Sequence, residues 1–277
     1  MASPLITAAV EPDEKGHQKL ILSAAHGACQ NSVSLRWASW TREAVQAEPC
    51  IVLLHEGLGS IRQWRQLPAA LHQATKLKVI AYERIGYGES SPRPSPWSTQ
   101  FMHEEADFLL PAFLMAQSIK DYIFVGHSDG ASIALLAASA LRPRALIAIA
   151  AHVMVEAICR EAIACLLDEE RRANLIGSLG KYHTESEQLL RNWSTVWLSQ
   201  AFSSWDIRER LLSIESPVLA IQARDDAYGT MSQLDTIENH IAQAICLRLE
   251  EGGHSPHLSP SLRISERIAE FIQQVHS

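Results

Sequence analysis

From residue 50 onward the chain is punctuated by short runs of consecutive apolar residues. Cys50 to His55, Lys78 to Tyr82, Tyr122 to Gly126, Ala145 to Ala150, Val218 to Gln222 and Ala244 to Leu249 are each five or six residues long. That is the length and character of strands buried on both faces. Between them the period changes. Gln100 to Ser118 places Phe108, Leu109, Ala112, Phe113 and Ala116 at helical spacing, and Met231 to Ala242 and Ser261 to Val275 read as two further helices. Asp129 to Leu141 is apolar nearly all round, as a helix packed on a sheet should be. Ahead of this series lie two alternating, strand-like runs, Leu20 to Ala24 and Val33 to Trp40. Buried strands alternating with helices predict an α/β fold with a doubly wound, mostly parallel sheet.

The rhythm stops once. Val153 to Trp205 keeps a helical period, contains no strand pattern, and carries Trp193, Trp197, Phe202 and Trp205. This predicts a helical cap inserted into a sheet domain, so the chain divides into a first core part (1–152), a cap (153–206) and a second core part (207–277).

Composition narrows the function classes. Lys and Arg number 24 against 31 Asp and Glu, a net charge of −7, and no cluster of five or more basic residues interrupts the sequence. Phosphate-backbone binding needs such a stripe, so nucleic acid is not expected as a partner. No apolar run reaches the ~20 residues that span a bilayer, and the first residues lack a basic start followed by an apolar stretch, so neither a membrane nor a secretory signal is expected. A cytoplasmic location is the default. The five cysteines, Cys29, Cys50, Cys159, Cys165 and Cys246, are odd in number and show no CxxC spacing, which predicts reduced, mostly buried thiols. No H-E-x-x-H pattern or His/Asp cluster points to a metal, and no cofactor is implied. The oligomeric state stays open, a homo-oligomer included.

Candidate chemistry starts at Gly126-His127-Ser128-Asp129-Gly130, a G-x-S-x-G sequence. Alone, those letters fit a plain loop with Ser128 or Asp129 capping a helix. Here a buried strand precedes them and an apolar helix follows, the context in which a strained turn exposes a serine hydroxyl above the sheet. A serine needs a base, and the base needs an orienting acid. Asp225 and Asp226 directly follow the strand VLAIQ, and His254 follows the last strand within EEGGHSPHLSP. Each lies just past the carboxyl end of a strand, where an open parallel sheet places its ligands.

The segments LLHEGLGS, YERIGYGES, GHSDG, IQARDD and GGHSPH resemble those of the α/β-hydrolase superfamily, from about Cys50 to the C-terminus. The resemblance implies Ser128 as nucleophile and His254 as base. It favours Asp226 as acid, because Ala223 stands where the superfamily ends that strand with glycine; Asp225 is the second candidate. It also implies backbone oxyanion donors at Gly57, with Leu58 as fallback, and at Asp129. Glu56 occupies a slot that the superfamily usually fills with glycine, and is expected to point away and hydrogen-bond N–H groups of the glycine-rich turn. Arg84, Gly86, Gly88 and Ser90 are assigned to scaffold. His55, His127 and His257 read as structural. His152 at the cap entrance, with Trp193 and Trp197 of the cap, is a candidate pocket residue. The expected reaction is hydrolysis of an ester, thioester or lactone of a small, mainly apolar acid, so the partner is a small-molecule substrate. Its rivals are carbon-carbon bond hydrolysis on the same constellation and a slow-turnover ligand receptor.

Overall fold

A computed structural model describes residues 7–12, 18–23, 32–41 and 49–276. Two sheets form among them. The first is a small antiparallel sheet of β1 (Thr7–Pro12), β2 (Gln18–Ser23) and β3 (Ser32–Leu35). The expected run Leu20 to Ala24 falls on β2 except for Ala24, which lies outside the described residues, as does Cys29. The second sheet is built from β4 (Trp37–Trp40), β5 (Cys50–Leu54), β6 (Val79–Tyr82), β7 (Tyr122–His127), β8 (Ala145–Ile149), β9 (Val218–Ala223) and β10 (Ala244–Leu249). Its spatial order is β10-β9-β8-β7-β5-β6-β4. Every neighbouring pair is parallel except β4 with β6. This is the mostly parallel α/β sheet that the alternating pattern predicts.

Period-two alternation divides the core between the two faces. From β5, Ile51 and Leu53 join one apolar cluster with Leu67 and Leu71 of α1 (Leu67–Thr75). Val52 and Leu54 join the other, on the opposite face. There the sheet meets α2 (Phe101–Glu104), α3 (Leu110–Ala116) and α4 (Asp129–Leu141). Helix α4 lies between sheet and outer helices, which is why Ile133, Leu135 and Leu136 are all fully buried. The single helix expected over Gln100 to Ser118 is interrupted. A π-turn at Glu105–Leu109 separates α2 from α3, next to Pro111, whose missing N–H removes one α-helical hydrogen bond.

Between β8 and β9 the chain forms α5 (Ala157–Leu166), α6 (Glu169–Leu179), α7 (Ser186–Leu198) and the short α8 (Arg208–Leu211). The entry and exit of this segment pair with each other: Val155 N–H donates to Trp205 O (3.1 Å) and Ile207 N–H to Val153 O (2.9 Å). Helices α9 (Met231–His240) and α10 (Ile264–His276) complete the fold. Helix α10 buries Ile264, Ile268, Phe271 and Ile272 and exposes Glu266, Arg267 and Glu270. It starts three residues later than the periodicity suggests, after two short 3-10 turns at Pro256–Leu258 and Pro260–Leu262. Of the described cysteines, Cys50 and Cys159 are buried, Cys246 is half-buried and Cys165 is exposed; all four are free thiols.

Candidate active site

Strand β7 runs straight into α4 through one residue, Ser128, whose φ of 52° and ψ of −122° lie outside the comfortable regions for a non-glycine residue. The turn is this sharp because both flanking glycines sit against backbone. A Cβ on Gly126 would lie 2.4 Å from Gly130 O, and one on Gly130 would lie 1.9 Å from Leu54 O. The Ser128 hydroxyl does not cap the helix. It faces His254, with Oγ 2.8 Å from His254 Nε2.

Asp226 stands on the far side of the imidazole. Its two carboxylate oxygens are 3.0 and 2.9 Å from His254 Nδ1. A carboxylate only accepts, so Nδ1 carries the proton and Nε2 is left to accept from Ser128. Two further donors fix Asp226: Tyr228 N–H to Oδ1 and Gln222 Nε2 to Oδ2, both at 2.8 Å. Burial works against its ionisation, but the hydrogen bond and charge of His254 and the Tyr228 N–H outweigh it and hold the pKa below the usual aspartate value. Asp225 turns outward and accepts from Gly253 N–H at 2.8 Å. The structure therefore brings Ser128, His254 and Asp226 together and leaves Asp225 out. Sequence reasoning missed Gln222 and Tyr228; the only local signal was their closeness to Asp226.

Glu56 departs from its expected role. Its side chain does not reach for the turn's N–H groups; Oε2 pairs with His127 Nδ1 at 2.9 Å. The other nitrogen of His127 donates to His254 O at 2.7 Å. One pair thus ties the turn after β5 to the nucleophile's neighbour and to the loop carrying His254. Both nitrogens of His127 face acceptors, so the pair needs the proton that they share. Burial opposes charge on both groups, yet their mutual attraction, helped at Glu56 by His257 and His55, brings the Glu56 carboxyl down to about 2 and raises His127 above the ordinary histidine value. The other titratable groups around His127 are Asp226, His254, His257 and His152. Because the folded-state pKa of His127 is raised, its contribution is complete below the unfolded value and is lost as pH rises through the folded one. We expect kcat/KM to fall as pH rises through the raised His127 pKa, and Glu56→Gln to bring that fall to lower pH. A wild-type profile flat to pH ~10, or one unchanged by the substitution, would contradict this role.

A cavity of about 300 Å3 opens over Ser128. Its polar end holds Glu56, Gly57, Ser128, Asp129, His152 and His254. Its apolar walls come from α5, α6 and α7: Cys159, Ile163, Leu166, Leu175, Leu179, Trp193 and Trp197. Leu58 also borders it, and His152 lies between His254 and Trp197, with ring centroids 5.9 and 5.1 Å away. Trp205 is elsewhere, stacked on Phe202. Gly57 must be glycine, since a Cβ there would lie 2.4 Å from Trp193 Nε1. Its peptide is held from behind: Glu56 O accepts from Arg84 Nη2 (2.7 Å), His55 Nδ1 (2.8 Å) and Gly59 N–H (3.1 Å). Among the described residues, no group of three or more His, Cys, Asp or Glu side chains is arranged to hold a metal ion. Nor is any described helix long and apolar enough to cross a membrane.

Residues 51–267 match the model of the alpha/beta hydrolase family. The chain belongs to that family. Solved structures share the fold at low identity. The enol-lactonase from Burkholderia xenovorans LB400 is 18% identical, with 87% of this chain and 97% of that one covered at a TM-score of 0.67. The meta-cleavage product hydrolase from Pseudomonas fluorescens IP01 is also 18% identical, with 87% and 95% covered and a TM-score of 0.66. For the proline iminopeptidase of Mycobacterium smegmatis the values are 18%, 88%, 95% and 0.63. No curated protein matches this alpha/beta hydrolase significantly. The names of these neighbours span different bonds, so their likeness speaks to fold alone.

Proposed function

We propose that the protein is a serine hydrolase that cleaves a carboxylic ester, thioester or lactone of a small, mainly apolar acid through an acyl-enzyme. The observation that carries this reading is the continuous path from Ser128 Oγ through His254 to Asp226, at 2.8 and 2.9 Å, with Ser128 and His254 lining one cavity. Ser128 Oγ attacks the acyl carbon and its proton passes to His254 Nε2. Asp226 keeps the ring oriented and stabilises the imidazolium. The leaving group departs with that proton; water, deprotonated by His254, then frees the acid and restores Ser128. The N–H groups of Gly57 and Asp129, with Leu58 as the fallback, hold the oxyanion, and one such donor contributes roughly a hundredfold to a thousandfold in rate. In this reading residues 153–206 act as the cap, since α5 to α7 supply the apolar walls around the acyl group.

A panel of p-nitrophenyl esters of increasing chain length tests the proposal. Short acyl chains should turn over with an initial burst, and rates should drop once the chain outgrows about 300 Å3. Absence of turnover with every ester, alongside cleavage of a carbon-carbon bond in a dienone, would favour the rival that the name of the Pseudomonas neighbour suggests. A stalled acyl-enzyme would favour a receptor.

Charge sets a further expectation. Glu56 and Asp129 both border the cavity, and an acid there repels a substrate anion. Neutral esters should be cleaved faster than matched esters bearing a carboxylate beside the carbonyl, at low and high salt alike. Preference for the anionic ester at both salts would show that a basic group dominates the site.

A further inference from the structure

One group in the cavity has no task in the hydrolytic cycle, the carboxyl of Asp129. The residue is 1% exposed and directly follows Ser128. Its Oδ2 accepts from Trp193 Nε1 at 2.9 Å and would lie 2.9 Å from a Cβ on Gly57, so the carboxyl stands beside the candidate oxyanion donors. Its Oδ1 is buried and has no hydrogen-bond partner among the described residues. Nearby, His152 Nδ1 is also buried without a partner, and both residues line the cavity.

Packing does not call for an acid here. Asparagine would keep the bond to Trp193, and a leucine would match the apolar walls. An unpaired carboxylate oxygen is costly to bury, and a bare negative charge beside a developing oxyanion opposes the reaction. The buried Arg84 guanidinium and the Trp197 indole lie close enough to act on Asp129, but the guanidinium donates to Glu56 O, and Trp197 Nε1, itself buried without a partner, does not reach hydrogen-bond geometry, which leaves Oδ1 unmet. A hydrocarbon acyl chain would leave Oδ1 in that state. A chain with a donor would satisfy it and soften its charge.

We propose that Asp129 is a specificity residue whose Oδ1 accepts a hydrogen bond from an O–H or N–H group on the acyl part of the substrate, within a few bonds of the scissile carbonyl. The substrates are then esters, thioesters or lactones of small hydroxy or amino acids whose remaining surface is apolar. This rests on the serine-hydrolase reading, and Trp193 is the partner that fixes the carboxyl's orientation.

The test compares wild type with Asp129→Asn, which keeps an acceptor for Trp193 and turns the free side of the group into a donor. Both are given the ethyl esters of butanoic, 2-hydroxybutanoic, 3-hydroxybutanoic, 2-aminobutanoic and 3-methoxybutanoic acids, and acid release is followed at constant pH. Each kcat/KM is divided by that of butanoate in the same protein. Comparing the two proteins then cancels the intrinsic reactivity of each ester. For at least one donor-bearing ester the normalised value should be roughly tenfold or more higher in wild type than in Asp129→Asn, with no such gain for the methoxy ester. The hydroxy and amino arms show which donor is preferred. Equal normalised values in both proteins, or a wild-type gain on the methoxy ester, would overturn the proposal. Should Asp129→Asn fold poorly, Asp129→Ser removes the same oxygen in a smaller side chain and is read the same way. Reaction with a fluorophosphonate separates the two levels: with Ser128 modified and the ratios unchanged, the Asp129 proposal alone fails. With Ser128 unmodified and no ester cleaved, both fail.

Discussion

Replacing Ser128 with alanine is expected to reduce turnover by roughly ten-thousandfold or more, while the protein stays folded. The hydroxyl is the only group lost, and among the described residues its one side-chain partner is His254 Nε2. Nothing in the core depends on it. The turn is shaped by Gly126 and Gly130 and by Ser128 N–H donating to Ile149 O at 2.9 Å, and alanine keeps all three. Stability should change by no more than about 1 kcal/mol, seen as an unfolding midpoint close to that of wild type. Residual activity within tenfold of wild type on the best ester would mean that another group attacks the carbonyl.

The second large effect concerns Asp226. Asp226→Asn should lower kcat by about ten-thousandfold, and the hydrogen bonds show why. The acceptor at Oδ1 serves a backbone N–H, Tyr228, which cannot turn away; the one at Oδ2 serves the side-chain amide of Gln222, which also donates to Gly229 O at 3.1 Å and can shift toward it. The asparagine oxygen therefore stays with Tyr228, and its NH2 takes the Oδ2 place, 2.9 Å from His254 Nδ1. The NH2 then opposes Nδ1–H at the shorter of the two contacts, and the oxygen 3.0 Å away is shared with Tyr228 N–H, which favours the tautomer with the proton on Nε2. That blocks acceptance of the Ser128 proton. Asp225→Asn keeps the acceptor for Gly253 N–H and should cost only a few-fold. The reverse ranking in a kcat comparison would move the orienting acid one residue upstream.

These effects were legible in the sequence to different degrees. The strands β5 to β9 are short and buried on both faces, so their apolar runs stand out; β10, at the sheet edge, is only half-buried and exposes Ile245, so its apolar run overstated its burial. A site at the carboxyl ends of parallel strands inherits its chain order from them, which is why Ser128, Asp226 and His254 could be singled out together. Partners that meet only on folding were not readable. Glu56 and His127 are 71 residues apart, and nothing in HEGLGS says that its acid will answer the histidine of GHSDG. The same holds for Asp129, whose carboxyl is given its meaning by Trp193, 64 residues away. Gln222 looked like the end of a strand, and only the sheet shows that its amide turns toward Asp226. The break at Glu105–Leu109 was hidden because a π-turn keeps the apolar residues near helical spacing.

The most direct measurement is the site of modification by a fluorophosphonate, read by intact mass and then by peptide mapping. One phosphonyl group per chain is expected, on the peptide containing Ser128, absent from Ser128→Ala and much slower to form in Asp226→Asn. Modification of a different residue, or none at all in protein that hydrolyses esters, would contradict this expectation.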